Sequence, residues 1–267
     1  MQNKKVLIIS SEVIPYLPQT KRSINSFKIP KSINDAGGQI RIFMPRYGLI
    51  NERRHQLHEV IRLSGMNMVI NDMDMPLIIK VASIPKERMQ VYFIDNEEYF
   101  KRKEILHDAD GNLFPDNDER MLFFTKGVIE TVKKLNWSPD IIHLHGWFTS
   151  LFPVYMKTYF AQDPIFEQSK IVTSIYPDDL NGTLNKALKD KMAFDNIDED
   201  LSKLSTPGYD ELMEIAIAHS DGLVLEDEAI SDKVKSLIEA SKKPTLTYEE
   251  GQEEQAHVNF FNSNFLD

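Results

Sequence analysis

The chain has 267 residues, with Lys+Arg 31 against Asp+Glu 41, a net charge of −10 and no Cys. Without Cys there is no thiolate nucleophile, disulfide, iron–sulfur cluster or Cys-based zinc site, and the acidic balance argues against nucleic-acid or anionic-membrane partners, which need a basic face. No apolar run approaches the ~20 residues of a membrane span, and Val6–Ile9 is too short for a signal peptide, so a cytoplasmic protein is expected.

Lys5–Ser10 (KVLIIS) reads as a buried parallel strand. A turn-rich stretch with Pro15 and Pro18 follows, then a short helix through Ile24, Phe27 and Ile33, broken near Pro30. Asp35-Ala36-Gly37-Gly38 is a helix stop, and Ile40–Met44 is a second strand. The runs 60–63, 67–70, 77–81 and 89–94 predict a small antiparallel β region inserted into an α/β frame. Apolar spacing over Asp118–Leu135 predicts a helix with Asp116 near its N-cap. Further strands are expected at 140–145, 170–175 and 222–225, with helices at 147–160, 209–219 and 227–240. The whole reads as α/β: a Rossmann-like, mostly parallel sheet with flanking helices, one domain over 1–246 and an acidic, aromatic tail over 247–267.

Gly is scarce, 11 residues or about 4% against about 7% on average. The one Gly-Gly pair is Gly37-Gly38, and neither standard Gly-rich phosphate cradle is present.

Several ordered segments carry a resemblance. They are Lys5-Val-Leu-Ile-Ile-Ser-Ser-Glu12-Val-Ile-Pro15, Arg41-Ile-Phe-Met-Pro-Arg-Tyr-Gly48, Asp116-Asn117 ahead of an aromatic-rich helix, Pro139-Asp-Ile-Ile-His-Leu-His-Gly-Trp147, and Ala218-His-Ser-Asp-Gly-Leu-Val-Leu225. Together they make the chain resemble the N-terminal domain of bacterial glycogen and starch synthases, ADP-glucose-dependent glycosyltransferases of family 5. The resemblance implies one half of a GT-B fold, with ADP-glucose as the family donor and no bound cofactor. It implies glucan or sugar contacts at Glu12, Asp116, Asn117, His145 and Trp147.

Departures fall in the same places. The family's Lys-Thr-Gly-Gly-Leu loop corresponds here to Pro18-Gln19-Thr20-Lys21-Arg22, so the lysine position holds Pro18 and the glycine positions hold Thr20 and Lys21. The family's His-Asp-Trp-His is His145-Gly146-Trp147-Phe148, and its Ile-His-Asn is Ile175-Tyr176-Pro177. A GT-B enzyme stabilises its departing diphosphate with charges on a second domain, usually the largest catalytic contribution. The 27 residues after Ala240 are too few for such a domain, so this chain by itself is expected not to transfer glucose.

Simpler roles stand beside these. Trp147 either stacks on a sugar or caps the core, and Asp116-Asn117 either hold hydroxyls or cap a helix. His143-x-His145 puts two imidazoles on one strand face, but no third ligand is visible at suitable spacing, so no metal is expected. Asp178-Asp179 reads as solvated surface, Lys101-Arg102-Lys103 as a solvated helix face, and the tail phenylalanines as a strap over the core. The leading functional expectation is a degenerate stand-alone domain acting as a glucan-binding or regulatory module, with maltooligosaccharide or glycogen as ligand. One alternative is a split glucosyltransferase subunit that makes α-1,4-glucan with a partner chain; another is an interaction protein with no sugar role.

Overall fold

A computed structural model describes residues 1–197, 199–253 and 255–266. Its strands are β1 (Lys5–Ser10), β2 (Gln39–Pro45), β3 (His58–Glu59), β4 (Met66–Ile70), β5 (Met73–Ser83), β6 (Gln90–Asp95), β7 (Ile141–His145), β8 (Lys170–Ile175), β9 (Gly222–Leu225) and β10 (Thr245–Leu246). The helices are α1 (Lys21–Asp35), α2 (Glu52–His55), α3 (Glu97–Phe100), α4 (Asn117–Lys134), α5 (Leu151–Lys157), α6 (Leu188–Phe194), α7 (Tyr209–His219), α8 (Asp232–Ser241), α9 (Tyr248–Gly251) and α10 (Ala256–Phe265).

One sheet runs in the order β10-β9-β8-β7-β1-β2-β6-β5-β3, with β4 also on β5. From β10 to β6 every pairing is parallel. Strands β1 and β7 are fully covered, with Val6–Ile9, Ile141, Ile142 and Leu144 at 0% exposure. Burial on both faces is why these runs are continuously apolar and do not alternate. Among the described residues no helix is long and apolar enough to cross a membrane.

The antiparallel insert is smaller than predicted. β6 pairs in parallel with β2 and so belongs to the main sheet, while β5 runs antiparallel to β6 and carries β3 and β4. Residues 60–63 are not a strand. The amides of Leu63 and Ser64 turn back onto the Val60 carbonyl, which leaves Ile61 83% exposed, and the short strand lies just before them at His58–Glu59. Nor does Pro30 break α1. The helix runs through it, started by a capping box between Thr20 and Ser23 and held by buried Ile29, Pro30 and Ile33. A proline removes one helical hydrogen bond, and here the packed face and the cap outweigh that loss. Helix α8 begins at Asp232, later than predicted, because the Ser231 hydroxyl accepts the Val234 amide and fixes the start there. Trp147–Thr149 form a 3₁₀ turn before α5.

The tail packs on the sheet. Phe261 on α10 is fully buried with its ring edge-on to His143 at 5.2 Å between centroids. Phe265 lies over Gly222, where a Cβ would sit 2.3 Å from its ring. The N-terminal amine donates to Asn262 at 3.0 Å.

Candidate functional site

In open α/β sheets, ligand clefts lie at the carboxyl ends of the strands. Here β1, β7, β8 and β9 end side by side, with Ser10 in register with His145, His145 with Ser174, and Ser174 with Val224. Glu12, His145, Gly146, Tyr176 and Glu226, just beyond or at these ends, therefore meet at one edge.

Arg22, from the first turn of α1, occupies this edge. The residue is 4% exposed. Its Nη1 donates to Glu12 at 3.0 Å and its Nη2 to both Asp179 oxygens at 2.9 and 2.8 Å, and the guanidinium lies 5.3 Å from the centre of the Tyr176 ring. Burial alone would lower the Arg22 pKa, but the carboxylates of Asp179 and Glu12 outweigh it and hold the charge in place. The Thr20 hydroxyl donates to the other Glu12 oxygen at 2.6 Å. The residues standing at the family's glycine positions thus have local work. Thr20 caps α1, and Lys21 pairs with Asp227 at 2.6 Å and lies 4.4 Å over Tyr248. The Pro18 carbonyl accepts the Ser23 hydroxyl at 2.9 Å. Asp179 is accordingly not simply solvated surface, since it is the second carboxylate of a buried arginine.

Gly146 makes room for that arginine. Its φ of 76° and ψ of 177° lie in a region essentially restricted to glycine, and a Cβ there would sit 2.5 Å from Arg22 Nε. Gly146→Ala is expected to destabilise the fold by at least about 1–3 kcal/mol and to displace the guanidinium. Urea unfolding checks this, and a change below ~0.5 kcal/mol would contradict it.

The histidines form a second layer beside this network. His143 and His145 are both 0% exposed, with ring centroids 4.3 Å apart. His143 Nε2 meets the Ser174 hydroxyl at 2.7 Å, and that hydroxyl donates to Glu226 at 2.6 Å. His145 Nδ1 meets the Tyr176 hydroxyl at 2.9 Å. Burial holds both imidazoles neutral: it pushes His143 well down, and it lowers His145 to about 4. Burial likewise pushes Tyr176 up. Glu226 stays below the usual range, because His257, His145 and Ser174 outweigh the burial that would raise it.

The other predicted site residues have structural partners. Trp147 and Asn117 are both 0% exposed, while Phe148 is 1% exposed. The Trp147 side chain, so covered, is packed into the core, at the turn that follows β7. Phe148 packs between Trp147 and Phe124. Asp116 holds the N-cap position of α4 but makes no capping hydrogen bond; its carboxylate takes Arg102 bidentately at 2.7 and 2.6 Å. The 101–103 run therefore lies past the end of α3 and is not a helix face. Asn117 donates to the Leu106 carbonyl at 2.8 Å and accepts from Arg120 at 2.6 Å. Of the five predicted contacts, Glu12 and His145 share the cleft edge, and Asp116 and Asn117 lie apart from it at the start of α4. The sequence reading missed Arg22 as the hub, and also Asp179 and Glu226. The visible signals for them were a basic residue entering α1 and an acidic residue directly after a buried strand, a pattern that also marks ordinary surface.

The family model described as starch synthase catalytic domain matches residues 5–238. The glycogen synthase of Chlorobium limicola is 38% identical over 176 residues, covering 66% of this chain and 36% of the relative. That of Pelodictyon phaeoclathratiforme is 32% identical over 236 residues, 87% of this chain and 47% of the relative. Among solved structures, the catalytic domain of starch synthase IV from Arabidopsis thaliana, bound to ADP and acarbose, superposes with a TM-score of 0.75. It shares 14% identity and covers 92% of this chain and 51% of that one, a likeness of fold. The chain spans less than half the length of these curated relatives. The match over 5–238 takes in nearly all of the sheet and the cleft edge just described, and the chain belongs to the starch synthase catalytic domain family.

Proposed function

We propose that this chain is a catalytically degenerate glycogen synthase-like domain, acting in the cytoplasm as a glucan-binding or regulatory module of glucan metabolism. The observation that carries this reading is Arg22. Its salt-bridged guanidinium fills the space over Gly146 and, with Thr20, takes both oxygens of Glu12. A side chain so held has to be expelled before a sugar or phosphate could reach the strand ends, at the cost of leaving Glu12 buried without its partner.

A cavity of about 210 Å³ remains outside this plug, lined by Lys21, Asp178, Asp179 and Asp227 among others. Its lining has four carboxylates, with Glu12, against two cations, Lys21 and Arg22, both already salt-bridged, a balance that repels a diphosphate. The carboxylates accept hydrogen bonds from sugar hydroxyls, which makes a maltooligosaccharide the better ligand for this mouth.

The test incubates the purified chain with labelled ADP-glucose and maltoheptaose. No incorporation above the blank is expected, while calorimetry with maltoheptaose alone is expected to show binding that Asp227→Asn weakens. Glucose transfer by the chain alone would overturn the degenerate reading. Transfer that appears only when a chain carrying a nucleotide-binding domain is added would favour a split enzyme, and no heat with maltoheptaose would remove the glucan half of the claim.

A further inference from the structure

The buried histidine layer behind the Arg22 network has no role in the reading above. His143, His145 and Glu226 each bring one ligand-type atom within 4.8 Å of the others, and all three are buried. Each histidine has one nitrogen engaged, His143 Nε2 by Ser174 and His145 Nδ1 by Tyr176. Among the described residues, His143 Nδ1 and His145 Nε2 have no hydrogen-bond partner. A buried polar atom without a partner costs about 1–3 kcal/mol, and one ring nitrogen hydrogen-bonded with the other free is how metal-bound imidazoles are held. On the acid side, Asn25 fixes the second Glu226 oxygen at 2.7 Å.

The tail helix adds a fourth group. His257 Nε2 lies 3.6 Å from Glu226 Oε1, and among the described residues it too has no hydrogen-bond partner. His257 and Glu226 also line a groove of about 520 Å³ between α1 and the tail helices, which supplies an entry path.

We propose that His143, His145 and Glu226, with His257 of α10, form a binding site for a divalent transition-metal ion of the zinc class. Imidazole nitrogens with one carboxylate and no thiolate suit a borderline ion and not calcium or magnesium, which take oxygen ligands. Zinc bonds of about 2.0–2.2 Å would draw the ligand atoms closer than 4.8 Å. Because His257 comes from the tail and the other three from β7 and the residue after β9, the ion would clasp α10 to the sheet. The sequence alone could not suggest this, since the third and fourth ligands lie far along the chain from the His-x-His pair.

The test strips the full-length chain with a chelator and titrates it with Zn²⁺ against a chromophoric competitor, following the thermal midpoint in parallel. One ion per chain and a raised midpoint are expected. Glu226→Gln and His257→Asn are each expected to weaken binding by at least ~10–100-fold and to abolish the midpoint shift. No binding, or one ion bound equally well by both variants, would overturn the proposal, the latter placing the ion on surface histidines. If Glu226→Gln does not fold by circular dichroism, His257→Asn, whose side chain lies nearer the surface at 13% exposure, decides the matter.

Discussion

Arg22→Ala is expected to lower the unfolding free energy by about 3–5 kcal/mol, the usual cost of removing one partner from a buried ion pair. The reason is what it leaves behind. Glu12 has a side chain only 9% exposed, and without the guanidinium its carboxylate keeps only the Thr20 hydroxyl as a donor. The void next to Gly146 adds to the loss. Asp179 is a control within the same network: its side chain is 49% exposed, so Asp179→Asn should cost only about 0–1 kcal/mol. Replacing both buried partners, Glu12→Gln with Arg22→Met, should recover much of the loss, because a buried pair can often be exchanged for well-packed groups of similar volume. Urea unfolding of the four proteins checks this. An Arg22→Ala cost below ~1 kcal/mol would mean that the network is not the plug described here.

Phe261→Ala carries the second large effect, about 3–5 kcal/mol for deleting a fully buried phenyl ring. Phe261 is 0% exposed and packs edge-on to His143, with Val258 and Phe260 buried on the same helix. The tail is then part of the cooperative unit, and the variant should unfold in one transition at lower urea. If the cost is under ~1 kcal/mol, or if α10 melts in a separate earlier step, the tail rides on the surface. This variant also bears on the metal clasp, since loosening α10 withdraws His257 from Glu226.

Much of the frame was legible in the residues. Lys5–Ser10, the 140–145 run and Lys170–Ile175 are continuous apolar stretches because parallel strands are covered on both faces, and Tyr209–His219 kept a helical face. The hidden features depend on distant partners. Whether 89–94 joined the insert or the main sheet turned on its pairing with β2, nearly fifty residues earlier in sequence. The continuity of α1 past Pro30 turned on what Ile29 and Ile33 pack against. At the cleft, Glu12 and His145 could be placed by strand-end position and resemblance, whereas the pairing of Asp116 with Arg102 and the complete burial of Trp147 could not be read from the chain.

The sequence by itself determined the fold class and the family, because both rest on local periodicity and on motifs kept in order. By resemblance, it also puts Thr20 and Lys21 where the family's loop is expected to carry a glycine pair. Only the tertiary structure decided what stands in its place. The strand order sets β7 between β1 and β8, with β9 next, and this brings Glu12, Gly146, Asp179 and Glu226 to one edge from four distant segments. The meaning of a buried charge depends on which partner lies within hydrogen-bond reach, and no local pattern in the chain records which strands will be neighbours.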